Sequence, residues 1–318
     1  MLIELFDIVG PIMAITAIGY LLGRSSVEFQ TRTLSNAVLL VATPCLIFSS
    51  LTALHVTFDT LREMASAALL CIGVAGALGL LALTLTQSPV RSYLPTLMMP
   101  NSGNMGIPLV VLTFGDSALA LAVAYFFVVA IVQNTLGLAI YSGSFSAKSL
   151  LKQPLIYAVL AVLFVTWTGL TVPAVVSSTT EILGGMMVPS MLLLLGASLA
   201  TLQVADLRPA LIVSVGRLSI GLVTATIVIS LLGLSGTVAG IVFLMATMPT
   251  AVLMFVFADR YQRNAKQVAG TVVVSTVMTL VCLPLLVWGG LKIAANGDEI
   301  TQLRPMPQVV DTRPATKG

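Results

Sequence analysis

The sequence predicts an all-α membrane protein with ten transmembrane helices. Its 318 residues are 58% hydrophobic and 8% charged, and their mean hydropathy is +1.06. Soluble globular chains carry about 25% charged residues, so much of this surface must face lipid. Two of the apolar runs are interrupted by segments that contain proline, at Pro100 and Pro249. The net charge of +3 is small and dispersed, which gives no indication of nucleic-acid binding.

The ten predicted spans are apolar runs separated by short polar links, and none of these links is long enough to fold alone. The spans cover residues 4–23, 34–53, 63–86, 92–114, 117–141, 154–171, 180–200, 209–232, 237–258 and 267–293. Residues 294–318 are polar and rich in proline, which predicts a disordered external tail. The three cysteines lie within spans without metal-ligand spacing, so no metal or cofactor is predicted.

Basic residues fall unevenly between the two sets of alternate loops. One set holds only Arg62. The other holds nine: Arg24, Arg32, Arg91, Lys148, Lys152, Arg208, Arg260, Arg263 and Lys266. Loops rich in Lys and Arg stay in the cytoplasm, so a multi-pass protein of the cell (inner) membrane with both termini outside is predicted.

Prolines recur at nearly one spacing in corresponding spans of the two halves. The pairs are Pro11 with Pro154, Pro44 with Pro189, and Pro100 with Pro249. This predicts two five-span repeats, residues 1–146 and 147–293, with opposite orientations because five is an odd number. The alternative is a set of unrelated kinks, since proline is common in membrane helices.

The segment PNSGNMGIPL interrupts span 4 near the bilayer midplane, and MPT interrupts span 9 at a similar depth. Backbone broken at membrane depth is tolerated only inside protein or along a cavity. Two half-helix N-termini meeting there would offer N–H groups to an anion. The candidate substrate-binding residues are Pro100, Asn101, Asn104, Gly106, Pro108, Pro249 and Thr250. The alternative is a kinked helix packed by small residues.

Three further polar residues lie within predicted spans. Gln133 and Asn134, in the middle of span 5, would either line the same pocket or form interhelical hydrogen bonds. Arg217 lies inside span 8, where it would either bind a carboxylate or extend its guanidinium to the membrane surface. Gln133, Asn134 and Arg217 are therefore candidate substrate-binding residues, and the sequence does not decide between these alternatives.

The run PNSGNMGIPL, the MPTAVLMFVFADRY run of span 9 and the ten-span plan resemble the auxin efflux carrier family. The resemblance implies two inverted five-helix repeats whose broken helices 4 and 9 cross at Pro100 and Pro249. It implies a scaffold domain of helices 1, 2, 6 and 7, and a moving transport domain of helices 3–5 and 8–10. It also implies organic-anion cargo (auxin-like indole acids or small carboxylates), Asn101 facing that cargo, and a homodimer through the scaffold.

We therefore expect a secondary carrier of small organic anions that works by alternating access. The alternative is a sodium-coupled organic-anion symporter similar to the bile-acid carriers, which share a ten-span plan. An enzyme is not expected, because the chain has a single histidine and no acidic residue at a predicted midplane.

Overall fold

The computed structural model describes residues 2–26, 29–53, 58–144, 154–202 and 204–303, and every regular element in these ranges is a helix. The first half contains α1 (Leu2–Arg24), α2 (Thr31–Ala37), α3 (Thr43–Ala53), α4 (Phe58–Leu85), α5 (Val90–Met98), α6 (Ile107–Phe114), α7 (Leu119–Val132) and α8 (Leu138–Ser142). The second half contains α9 (Pro154–Thr168), α10 (Ala174–Gly185), α11 (Met187–Thr201), α12 (Leu207–Leu232), α13 (Gly236–Thr247), α14 (Val252–Arg260) and α15 (Ala265–Leu303). π-Helical turns occupy Val38–Ala42, Ser102–Gly106 and Gln133–Gly137, and a 3-10 turn occupies Asp116–Ala118.

Helix covers all ten predicted spans, yet fewer segments qualify as membrane spans by themselves. Within the described ranges, seven are long and apolar enough: Leu5–Arg24, Thr31–Thr52, Arg62–Leu85, Asp116–Ser142, Ala174–Thr201, Leu207–Leu232 and Ala265–Asn296. Predicted spans 4 and 9 fall short because each is interrupted, and span 6 because α9 has only 15 residues. The chain is therefore a multi-pass membrane protein, while the count of ten crossings stays a prediction.

The last helix extends further than the sequence predicts. α15 continues to Leu303, so residues 294–303 are helical although they were expected to belong to a disordered tail. The first residues of this stretch, Ala294 and Ala295, favour helix, and an established helix extends at little cost. Residues 304–318 lie outside the described ranges.

A first helix group consists of α1–α3 and α9–α11, which pack extensively on one another. Its main contact is between α1 and α11, while α3 packs on α9 and α10. A Cβ atom on Gly19 or Gly196 would overlap the backbone of the facing helix, and one on Gly23 would lie 2.9 Å from Ala200 Cβ. Gly19, Gly23 and Gly196 therefore allow the close packing of α1 against α11.

A second helix group consists of α4–α8 and α12–α15. Within it α4 packs on α5 and α7, α12 packs on α13 and α15, and α4 contacts α12. The two groups meet where the π turn Ser102–Gly106 packs on α11 and where α1 contacts α6 and α15. The interrupted helices thus lie in the second group, at its boundary with the first.

Candidate substrate site

The two interruptions lie side by side. α5 ends at Met98 and α13 ends at Thr247, and the chain beyond each adopts extended backbone. Pro100 and Thr250 form an isolated antiparallel bridge. The Asn101 N–H donates to the Pro249 carbonyl over 2.7 Å, and the Ala251 N–H donates to the Met99 carbonyl over 3.1 Å. The prediction that both helices are broken at these prolines is confirmed, and each broken backbone finds partners in the other.

The chain after Pro100 resumes as the π turn Ser102–Gly106 followed by α6, and together they form one half-helix, Ser102–Phe114. Pro108 is the second residue of α6 and has no N–H to return to the carbonyl of Asn104, which explains the irregular turn before it. The Asn101 carbonyl instead accepts from the N–H groups of Met105 (3.3 Å) and Gly106 (3.2 Å).

The start of this half-helix carries polar atoms without partners. The Asn101 side chain is 5% exposed, and its Nδ2 has no hydrogen-bond partner among the described residues. The hydroxyl of Ser102, a residue that is 1% exposed, also has no hydrogen-bond partner among them. Asn104, one turn further, is half-buried. A buried unsatisfied donor costs about 1–3 kcal/mol, so a hydrogen-bond acceptor placed here would stabilise this end of the half-helix.

Gly103 and Gly106 allow this turn to approach its neighbours closely. A Cβ atom on Gly103 would lie 2.7 Å from Phe126 Cε2, and one on Gly106 would lie 2.6 Å from Met245 Sδ. Neither glycine has a positive φ. These positions therefore require glycine for close approach and not for an unusual backbone conformation.

Gln133 and Asn134 are neighbours in sequence with different roles. Gln133 is 7% exposed, and its Nε2 donates to the Pro100 carbonyl over 2.8 Å. This is an interhelical hydrogen bond that satisfies one of the carbonyls freed by the interruption. Asn134 is half-buried, and its Nδ2 donates over 2.9 Å to Ala130 of the same helix.

Thr250 is fully buried, and its polar atoms are engaged within the protein. Its hydroxyl donates to the Thr96 carbonyl over 2.8 Å, and its N–H donates to the Ser275 hydroxyl over 3.2 Å. Sequence reasoning missed Ser275. Its signal was the spacing of Thr271, Ser275 and Thr279, which places three buried hydroxyl residues on one face of α15.

Arg217 of α12 is 2% exposed, so the alternative that it extends to the membrane surface is wrong. Its guanidinium donates to three backbone carbonyls at the ends of α5 and α13. Nη1 lies 2.9 Å from the Leu97 oxygen, Nη2 lies 2.9 Å from the Ala246 oxygen, and Nε lies 3.1 Å from the Met248 oxygen. The side chain has the length to snorkel, but the freed carbonyls offer it charge-assisted hydrogen bonds at depth.

A cavity of about 10 Å³ lies beside this guanidinium, with room for about one water molecule. It is lined by α4, α7 and α12 and by the chain at Pro100. The hydroxyl of Thr224, which lines it, has no partner within the described part of the chain, and the hydroxyl of Tyr125 faces the thiol of Cys71. Acidic residues do not contribute to this region, since every acid whose side chain is described is exposed.

An all-helical membrane chain with two interrupted, mutually bonded helices has the architecture of a membrane transport protein. The chain matches the model of a family described as membrane transport protein over residues 5–148 and 142–287. It belongs to this family, the auxin efflux carriers.

Two archaeal relatives match the chain over most of its length. An uncharacterized transporter of Methanocaldococcus jannaschii is 23% identical over 303 residues, covering 89% of this chain and 97% of the relative. An uncharacterized transporter of Methanothermobacter thermautotrophicus is 27% identical over 292 residues, covering 86% of this chain and 94% of the relative. The resemblance stated from the sequence is thus confirmed, and the chain belongs to a family of membrane transport proteins.

Proposed function

We propose that this protein is a secondary carrier that moves small organic anions, such as carboxylates or auxin-like indole acids, by alternating access. One observation carries the proposal. At the paired interruptions six backbone carbonyls have protein donors, those of Leu97, Met99, Pro100, Ala246, Met248 and Pro249, whereas the Asn101 amide nitrogen and the Ser102 hydroxyl have no partner among the described residues. The amide nitrogen can only donate and the hydroxyl can also donate, so a carboxylate could accept from both.

The helix ends favour the same choice of cargo. Ser102–Phe114 and α14 both begin at the interruptions, and neither N-terminus has a side-chain cap. Each such end carries about half a positive elementary charge. Together they approach the single charge of a monocarboxylate, while Asn101 and Asn104 would orient it with amide hydrogens.

The packing supports an arrangement of ten crossings in two inverted repeats. An inverted repeat pairs span 1 (α1) with span 6 (α9), and span 2 (which contains α3) with span 7 (which contains α11). The contact of α1 with α11 then has its counterpart in the contact of α9 with α3. The contacts of α4 with α5 and α7 correspond in the same way to those of α12 with α13 and α15. In this proposal the broken helices 4 and 9 cross beside the cargo.

The two helix groups suit an elevator mechanism. The first group corresponds to the scaffold of helices 1, 2, 6 and 7, and the second to a transport domain of helices 3–5 and 8–10. The π turn Ser102–Gly106 packs on α11 at the boundary between them, so a cargo held there would lie where the two domains slide. Placement in the inner membrane with both termini outside, and a homodimer through the scaffold, remain parts of this proposal.

The first experiment is a thermal-shift screen of the purified protein with monocarboxylates, dicarboxylates and indole acids. A ligand that binds only the folded state raises Tm by mass action. The hits are then tested as labelled substrates in proteoliposomes. If no organic anion either shifts Tm or crosses the membrane, the proposal is wrong.

Asn101→Asp tests the site itself. Whether ionised or protonated, aspartate lacks the amide N–H donors, so affinity for an anion should fall about 10-fold or more. Asn36→Asp makes the same chemical change at an exposed position on α2 and serves as the control. Unchanged affinity in Asn101→Asp would remove Asn101 from the binding site.

A further inference from the structure

The arginine at the interruptions has an unusual set of partners. Arg217 donates to Leu97 at the end of α5, to Ala246 at the end of α13, and to Met248 just beyond it. It therefore connects the C-terminal ends of both half-helices that precede the interruptions. Backbone carbonyls converging on one centre are also the ligands with which membrane proteins hold dehydrated cations.

The charges in this region nearly balance. Each helix C-terminus carries about half a negative elementary charge, so the ends of α5 and α13 together offset about one positive charge. No acidic side chain competes for this role, because all described acids are exposed. The guanidinium, fixed by three hydrogen bonds and 2% exposed, supplies that positive charge.

We propose that Arg217 is a resident cation, occupying the place that a coupling cation such as sodium would otherwise take between the two half-helix ends. With the negative helix ends already neutralised, the positive ends at Ser102 and Val252 are left for the cargo. The carrier therefore needs no co-transported metal ion to bind a monovalent anion. The statement about cargo rests on the proposed function, whereas the statement about the cation does not.

Shortening this side chain should expose a cation site. In Arg217→Ala the carbonyls of Leu97, Ala246 and Met248 lose their donor together. The space vacated by the guanidinium joins the neighbouring cavity, which the hydroxyl-bearing residues Tyr125 and Thr224 line. Three carbonyl and two hydroxyl oxygens would then surround a space large enough for guanidinium or a sodium ion.

The test measures Tm of the purified protein in choline chloride, sodium chloride and millimolar guanidinium chloride. Wild type should melt at the same temperature in all three. Arg217→Ala should melt lower in choline, and guanidinium or sodium should raise its Tm by about 2–4 °C at tenfold excess over the dissociation constant. A purely structural loss would give the lower Tm without cation-specific recovery.

Two controls separate a local site from general salt effects. Arg208→Ala removes an exposed arginine from the same helix and should respond to no cation. Leu244→Ala, a fully buried residue of α13, should lower Tm without gaining a cation response. Recovery of Leu244→Ala to the same extent as Arg217→Ala would overturn the proposal.

Arg217→Lys keeps the test decisive if the alanine variant does not fold. Lysine restores the charge with fewer, differently placed donors, so this variant should fold and ignore sodium. A sodium-dependent Tm in Arg217→Lys or in wild type would refute a resident cation. So would Arg217→Ala melting alike in all three salts.

The outcomes distinguish this proposal from the proposed function. If no organic anion binds wild type but Arg217→Ala responds to cations, the resident cation stands and the cargo assignment fails. If organic anions bind wild type only in sodium, a carrier of anions stands and the resident cation fails, in favour of the sodium-coupled alternative.

Discussion

Gly196→Ala tests the contact between α1 and α11, which dominates the first helix group. Its Cβ atom would overlap the Thr16 carbonyl oxygen and lie 2.6 Å from the Tyr20 nitrogen. Both are backbone atoms of α1, so no side-chain rotation can relieve the overlap. The two helices must separate instead, or one must bend.

The expected loss of stability follows from this geometry. Restoring ordinary contact distances requires a separation of roughly 1.5 Å, which forfeits about half of the dispersion energy of each contact along the seam. Overpacking of this kind destabilises by about 1–3 kcal/mol. Alanine also gains up to about 1 kcal/mol in helix propensity over glycine, so the net destabilisation should be about 1–2 kcal/mol.

Thermal unfolding of the detergent-solubilised protein measures the effect, and Gly73→Ala is the matched control. Gly73 is exposed in α4, and a Cβ atom there would meet nothing within 4 Å. Gly73→Ala should therefore melt at or slightly above wild type, and Gly196→Ala several degrees below it. Equal melting of the two variants would show that α1 and α11 do not approach as closely as described.

Three further changes probe the packing and the interruptions. Gly23→Ala should lower Tm because its Cβ would lie 2.9 Å from that of Ala200, and Ala200→Gly should restore part of the loss; additive losses would contradict this contact. Gln133→Leu leaves the buried Pro100 carbonyl without its donor and should destabilise the protein by about 1–3 kcal/mol. Gln133→Glu removes the same amide donor at similar side-chain volume. A wild-type Tm in Gln133→Leu would refute the hydrogen bond. Thr250→Val keeps the side-chain shape but removes its interhelical hydrogen bond and should cost about 1 kcal/mol in chemical denaturation, and no change would show that the bond contributes nothing.

The interruptions could be predicted from the sequence because proline acts locally. Pro100, Pro108 and Pro249 each lack an N–H, whatever surrounds them, so the helix must lose hydrogen bonds at those points. In an apolar run, polar residues clustered beside such a loss, here Asn101 and Asn104, indicate that the freed backbone is used. That the two interruptions bond to each other agrees with this reasoning.

The partners of the buried side chains could not be predicted, because they depend on how each helix is rotated about its axis. Gln133 and Asn134 differ by one residue, or about 100° around the helix, and one reaches the interruption while the other bonds to its own helix. The direction of Arg217 depends in the same way on the packing of α12 against α5 and α13. Ser102 was not among the predicted site residues, because the sequence alone does not distinguish a buried serine from a solvent-exposed one in a polar cluster.

The position of the unpartnered groups links binding to movement. Asn101 and Ser102 lie where the second helix group meets α11 of the first. Without cargo, the positive half-helix end at Ser102 would have to pass along this boundary with its charge uncompensated, which is unfavourable in a low dielectric. A bound monocarboxylate would neutralise this charge and accept hydrogen bonds from Asn101 and Ser102. If the second group slides against the first, the loaded state should therefore cross more readily than the empty one, and exchange of cargo for cargo should be faster than net transport in proteoliposomes.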